Sequence, residues 1–202
     1  MEILNLCENE LRQFNSVNAV SALHRIAKTK DSKELGVTED HRLARLVGFC
    51  FENVQKMSGL ALANVAWSLV HLKYKDADMM SALARETMLK IDDMNVQHLS
   101  SVVWAFSSLR MRNEELFMAI AEESVRRIDE YTPANLGMTA WAYGVAKIKR
   151  ESMLTALIDE STKKVQGFSE QQLGQICNSF RSLERQFEAG QLQATWQQLQ
   201  PE

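Results

Sequence analysis

The chain has 202 residues, 46% of them apolar, and a formal net charge of −3. Two prolines and eight glycines are too little punctuation for a protein of strands and hairpins, while abundant Ala, Leu, Glu, Gln, Lys, Arg and Met predict helices. The slightly acidic balance counts against a compact, uniformly basic nucleic-acid-binding domain.

The opening stretch, MEILNLCENELRQF, carries acidic residues early and reads as neither a secretory signal nor an Arg-rich transit peptide. Cys7, Cys50 and Cys177 are odd in number and far apart, so neither a disulfide framework nor a zinc site is expected, and a reducing compartment fits. No apolar run approaches the roughly 18 residues of a membrane span.

Further along, the chain repeats itself. A degenerate copy, NAVSALHRIAK, begins at Asn18 and is followed by an expected loop around Asp31 to Asp40. The regular copies are LANVAWSLVHL from Leu62, LSSVVWAFSSL from Leu99, LGMTAWAYGVA from Leu136 and LGQICNSFRSL from Leu173, all 37 residues apart. Trp67, Trp104 and Trp141 share that register, and Asn178 takes the tryptophan position in the fourth copy. Ser58, Asn95, Thr132 and Ser169 stand ahead of these segments as N-caps. An apolar residue precedes each cap (Met57, Met94, Tyr131, Phe168) and a leucine lies four residues after it, the pattern of a hydrophobic staple. Each segment is thus the first helix, A, of a helix-turn-helix unit. Leu62, Val65, Ala66 and Leu69 form its core stripe at i, i+3, i+4, i+7 spacing. Each tryptophan follows a small residue by one turn (Ala63, Ser100, Gly137), which favours packing between helices over base stacking.

The turn after helix A carries two basic columns, Lys73, Arg110, Lys147 and Lys75, Arg112, Lys149, again 37 apart. Cations complement the negative end of a helix dipole; aligned columns also suit a polyanion backbone. Both readings stand for these six. A third face of helix A carries Asn64, Ser68 and His71, then His98, Ser101 and Ser108, then Asn135 and Met138, and finally Gln172, Gln175, Ser179 and Ser182. It is either an ordinary solvated face or a surface on which each repeat offers different groups to a base.

Helix B follows, as DADMMSALARETMLKI from Asp76, NEELFMAIAEESVRRI from Asn113 and RESMLTALIDESTKKV from Arg150. Its Glu86–Lys90, Glu123–Arg127 and Glu160–Lys164 pairs have the spacing of surface ion pairs, worth a few tenths of a kcal/mol. The Gln-rich tail from Phe187 to Leu199 reads as a last, capping helix B. The expected fold is therefore all-α, an α-solenoid of stacked helix-turn-helix repeats. Residues 1–56 form a degenerate repeat with a longer loop, 57–183 three full repeats and the first helix of a fourth, and 184–202 the cap. No His spacing of a metal site, nucleophile–base pattern or Gly-rich phosphate loop occurs, so no enzyme, metal, cofactor or small-molecule substrate is expected.

The alternation L-x-x-x-x-W-[SA]-[LFY], with its N-cap and 37-residue period, resembles the octotricopeptide and heptatricopeptide repeat proteins and the related FAST-kinase-like mitochondrial proteins. The resemblance covers about residues 57 to 199 and, more weakly, the first 50. It implies an organellar, mitochondrial or plastid, protein that binds single-stranded RNA for processing, stability or translation. The RAP domain that often ends such chains is not visible, so the resemblance gives no support for cleavage, and none of the family's base contacts is carried over. On the residues alone, phosphate contacts would fall to Lys73, Lys75, Arg110, Arg112, Lys147 and Lys149. Base contacts would fall to Asn64, Ser68, His71, His98, Ser101, Asn135, Gln172 and Gln175. The competing reading is a protein-binding scaffold of the HEAT or tetratricopeptide kind, which the acidic balance suits.

Overall fold

The computed structural model describes residues 2–29 and 36–199, so the expected loop around Asp31 to Asp40 lies partly outside the described residues. Among these residues the chain forms eleven α-helices and no strand. The first compact unit, residues 1–94, holds α1 (Glu2–Glu10), α2 (Ser16–Lys28), α3 (His41–Glu52), α4 (Gly59–His71) and α5 (Ala77–Leu89). The second, residues 95–202, holds α6 (Val96–Ser108), α7 (Glu114–Arg126), α8 (Pro133–Ala146), α9 (Glu151–Lys163), α10 (Glu170–Ser182) and α11 (Gln186–Gln198). The A helices are α2, α4, α6, α8 and α10. The chain is all-α and built of helix-turn-helix repeats.

The repeat is written in local chemistry. Ser58, Asn95, Thr132 and Ser169 all accept a hydrogen bond from the backbone N–H three residues on, capping α4, α6, α8 and α10. Caps of this kind contribute about 1 kcal/mol each. Met57, Met94, Tyr131 and Phe168 before the caps are buried, as are Leu62, Leu99, Leu136 and Leu173 after them. The B helices run into short 3₁₀ turns at Val54–Lys56, Ile91–Asp93, Ile128–Glu130 and Val165–Gly167, which lead the chain to the next cap.

In the second unit α8 packs along its length on α6 and α10, while α7 packs on α9 and α11 on α9 and α10. Two hydrogen bonds fix the A layer from inside: Ser107 Oγ donates to the Ala142 carbonyl at 2.7 Å, and Thr139 Oγ1 to Ser100 Oγ at 3.1 Å. Tyr143 joins the layers; its hydroxyl donates to the Phe117 carbonyl at 2.6 Å and its ring meets the Phe117 ring edge-on. A Cβ on Gly144 would lie 2.7 Å from Ser182 Oγ and 3.4 Å from the Ser179 carbonyl oxygen, so α10 approaches α8 closely at that glycine.

The Glu–Lys pairs of the B helices are not surface pairs. Glu86, Glu123 and Glu160 are buried, each 3–5% exposed. Lys90 Nζ meets Glu86 at 3.2 Å and also donates to the carbonyls of Gln55 (2.7 Å) and Met57 (2.9 Å), one repeat earlier. Lys164 repeats this on Glu160 (2.8 Å) and the carbonyls of Asp129 (2.6 Å) and Tyr131 (2.7 Å). Each lysine therefore ties its own helix B to the turn that ends the previous one. It satisfies carbonyls that the 3₁₀ segment leaves without an intrahelical partner. The expected few tenths of a kcal/mol understates such a tie, because the carboxylate is buried and loses its partner if the lysine is removed.

Candidate nucleic-acid interface

The basic columns sit in an unusual backbone. Lys73, Arg110 and Lys147 have φ of 52°, 54° and 52°, the left-handed conformation, and Glu184 at the fourth position has 66°. Each follows its A helix, and the next residue's N–H closes the helix by bonding five residues back: Tyr74 to the Leu69 carbonyl, Met111 to Phe106, Ile148 to Tyr143 and Arg185 to Phe180. This closure ordinarily takes glycine. A side chain in it costs roughly 1 kcal/mol or more. Here three consecutive repeats keep a cation, and all three are exposed. The dipole argument accounts for positive charge near a helix end; it does not account for preferring a strained cation to glycine.

The second column is exposed too. Arg112 meets Glu114 at 3.3 Å and Lys149 meets Glu184 at 2.6 Å. The Lys149 ammonium, by hydrogen bond and charge, holds the Glu184 carboxyl below its ordinary range. Among the described residues, Lys73, Lys75, Arg110 and Lys147 have no carboxylate within ion-pairing distance, so their charge is unspent. Arg110 and Arg112 line one cavity of about 330 Å³ with Phe106, Phe117 and Val145.

The A face differs from expectation. Ser68 and Asn135 are buried and present nothing to a ligand. Ser68 Oγ donates to the Asn64 carbonyl at 2.6 Å, turning the hydroxyl back onto its own helix. Asn135 belongs to the α8 cap: its Oδ1 accepts from Thr132 N–H (3.2 Å) and Oγ1 (2.7 Å), while its Nδ2 donates to Gln97 Oε1 (2.8 Å). Gln172, half-buried, likewise closes the α10 cap by accepting from Ser169 N–H at 2.9 Å. Asn64, His71, His98 and Ser101 are half-buried, and Gln175 is exposed. Burial lowers the His98 pKa, and its Nδ1 has no hydrogen-bond partner among the described residues.

The three repeat tryptophans, expected to pack in the core or between repeats, are half-buried. Trp67 in the first unit is covered by His71, stacked at 3.5 Å between centroids, with His24 tilted at 4.8 Å. In the second unit Trp104 and Trp141 line a groove of about 270 Å³ with Pro133, Gly137, Gln172 and Gln175. A Cβ on Gly137 would meet nothing within 4 Å, so the small residue before Trp141 opens space instead of admitting a helix. A second groove of about 380 Å³ runs from Trp141 past Val145 and Gln175 to Asn178. Helical spacing alone ties each tryptophan to a face; the missing signal was which face a neighbouring helix covers.

Other chemistry is sparse. Cys7, Cys50 and Cys177 are buried thiols, and burial raises all three pKa values, that of Cys50 to about 12. Among the described residues no three His, Cys, Asp or Glu side chains gather as a metal site would require. No helix among them is long and apolar enough to cross a membrane.

Stacked helical hairpins with strained cations at their turns and aromatic and amide groups on their A helices define a helical-repeat protein. Comparison of the sequence with known families makes this specific: the chain belongs to the RNA-editing substrate-binding complex 6 protein family, whose model matches residues 6–199. No curated protein matches it. The family is RNA-associated, in line with the RNA half of the sequence reading; the match says nothing for the octotricopeptide half.

Proposed function

We propose that this chain binds single-stranded RNA through the A-helix side of its repeats, with phosphates at the turns and bases toward the helices, and that it performs no catalysis. The observation that carries this is the run of Lys73, Arg110 and Lys147 in the left-handed conformation. Strain retained against an available glycine is a reason to look for a use, and exposed, unpaired cations at a fixed period suit a phosphate backbone. The family description supports a role within a complex that holds RNA-editing substrates. The octotricopeptide-like period supports an organellar setting, and we take the mitochondrion as the compartment.

One observation favours a second reading, a scaffold for protein partners. Large apolar side chains are exposed on the B helices, Leu89 at 72% and Phe187 at 73%. The A helices expose Val17, Leu60 and Val145 as well, so the position of RNA contacts, and not exposed apolar area, separates the two readings. Crosslinking of the purified full chain to RNA, with peptides identified by mass spectrometry, tests the main reading. Adducts on the A helices and their turns are expected. Adducts confined to the B helices, or none, would overturn it.

A further inference from the structure

The basic cavity and the tryptophan groove of the second unit share their walls. Val145 lines both the cavity that holds Arg110 and Arg112 and the groove running to Asn178. Trp141 lines that groove and also the one it shares with Trp104. One path therefore leads from the arginines over Val145, itself 44% exposed, to the Trp141 indole. Charge changes along it: the cavity carries two guanidinium groups, whereas the groove between the tryptophans carries none and is lined by the indoles, Pro133, Ala134, Met138, the open space over Gly137 and the Gln172 and Gln175 amides. About 270 Å³ is slightly below the usual range for small-molecule sites, so a single flat group fits better than a larger ligand. Among the described residues no aromatic ring stacks on Trp141, in contrast to Trp67 under His71.

We infer that the Trp141 groove receives one unpaired nucleobase of a strand whose phosphates lie at Arg110 and Arg112. The inference rests on the RNA reading above and names the residue that makes it a base-contacting site. The indole supplies the stacking surface, which every base can use. The Gln175 amide, with both a donor and an acceptor, is the group positioned to favour one base edge over another. Gln172 is less free, since its Oε1 is committed to the Ser169 cap and leaves only the amide N–H₂. A phosphate does not suit the groove, because no cation lines it. The strand thus runs with its backbone along the turns and a base turned inward.

The test compares the full-length chain with its Trp141→Leu and Trp141→Phe variants on two labelled RNAs of about 12 nucleotides, within the site sizes of single-strand binders. One is oligouridylate and the other an abasic strand with the same sugar-phosphate backbone. Trp141→Leu is expected to weaken oligouridylate binding about 5- to 150-fold, the loss of one stacked base. It should leave abasic-strand binding unchanged, which also reports that the variant is folded. Trp141→Phe should keep most of the oligouridylate affinity. If wild type binds oligouridylate and Trp141→Leu binds it equally well, the stacking inference falls and the RNA reading stands. If wild type binds neither strand, both fall.

Discussion

The left-handed cations make an unusual prediction, in which stability and binding move in opposite directions. Arg110 has a φ of 54°, and its helix is closed by the 2.8 Å bond from Met111 N–H to the Phe106 carbonyl. Arg110→Gly relieves strain of about 1–2 kcal/mol, against about 0.4–1 kcal/mol for the extra freedom glycine has in the unfolded chain. It also forfeits about 0.3–1 kcal/mol of favourable charge at the helix end. The net change from wild type is small. Arg110→Ala loses the same charge and keeps the strain, so the glycine variant should be the more stable of the two by about 1 kcal/mol. That is about 2–4 °C in Tm for a chain of this length. Inside a helix the order is reversed, alanine being the better residue by about 1 kcal/mol. Thermal melts followed by circular dichroism separate the cases. RNA affinity should fall equally in both variants, since both lack the cation. An alanine variant at least as stable as the glycine variant would refute the backbone argument. A glycine variant with full RNA affinity would refute the functional one.

Lys164→Met should destabilise the second unit by about 1–2 kcal/mol, since it removes the donor to the Asp129 and Tyr131 carbonyls and leaves the buried Glu160 with Lys163 alone; denaturant titration at neutral pH reads this. The same tie gives a pH dependence. Lys164 first, and then Lys163, holds the Glu160 carboxyl below its ordinary 4.5. A lowered carboxyl contributes stability that is complete above the ordinary value and lost as pH falls through the lowered one. Melts below about pH 4.5 should therefore drop more steeply for wild type than for Lys164→Met, and parallel curves would contradict the tie. Tyr143→Phe should cost about 1–2 kcal/mol by leaving the buried Phe117 carbonyl without its donor, with RNA affinity unchanged.

Much of the fold is legible in the sequence because its rules are local. A cap, the apolar residue before it and the leucine after it lie within six positions, so Ser58, Met57 and Leu62 announce a helix start without tertiary knowledge. The same rules could have removed two site candidates. Thr132 with Asn135 and Ser169 with Gln172 have capping-box spacing, which commits the later side chain to the cap. The Glu–Lys ties were less accessible. Glu86 lies on the buried stripe of Met79 and Leu83, which hints at burial, but the reach of Lys90 to Gln55 and Met57 is a contact between repeats. The left-handed turns were hidden because the residue that advertises them, glycine, is absent. The exposure of Trp141 depends on how far α10 covers α8, which periodicity does not encode.

The central claim is that RNA phosphates follow the basic turns, and the salt dependence of affinity measures it most directly. Lys73, Lys75, Arg110 and Lys147 are free of carboxylate partners among the described residues, whereas Arg112 and Lys149 already meet Glu114 and Glu184. Each phosphate neutralised on a single strand adds about 0.7 to the slope of log K against log salt. Replacing the four unpaired cations by Gln should flatten the slope for oligouridylate by about 3, for all RNA sequences alike. A four-fold variant that binds with the wild-type slope would contradict the account.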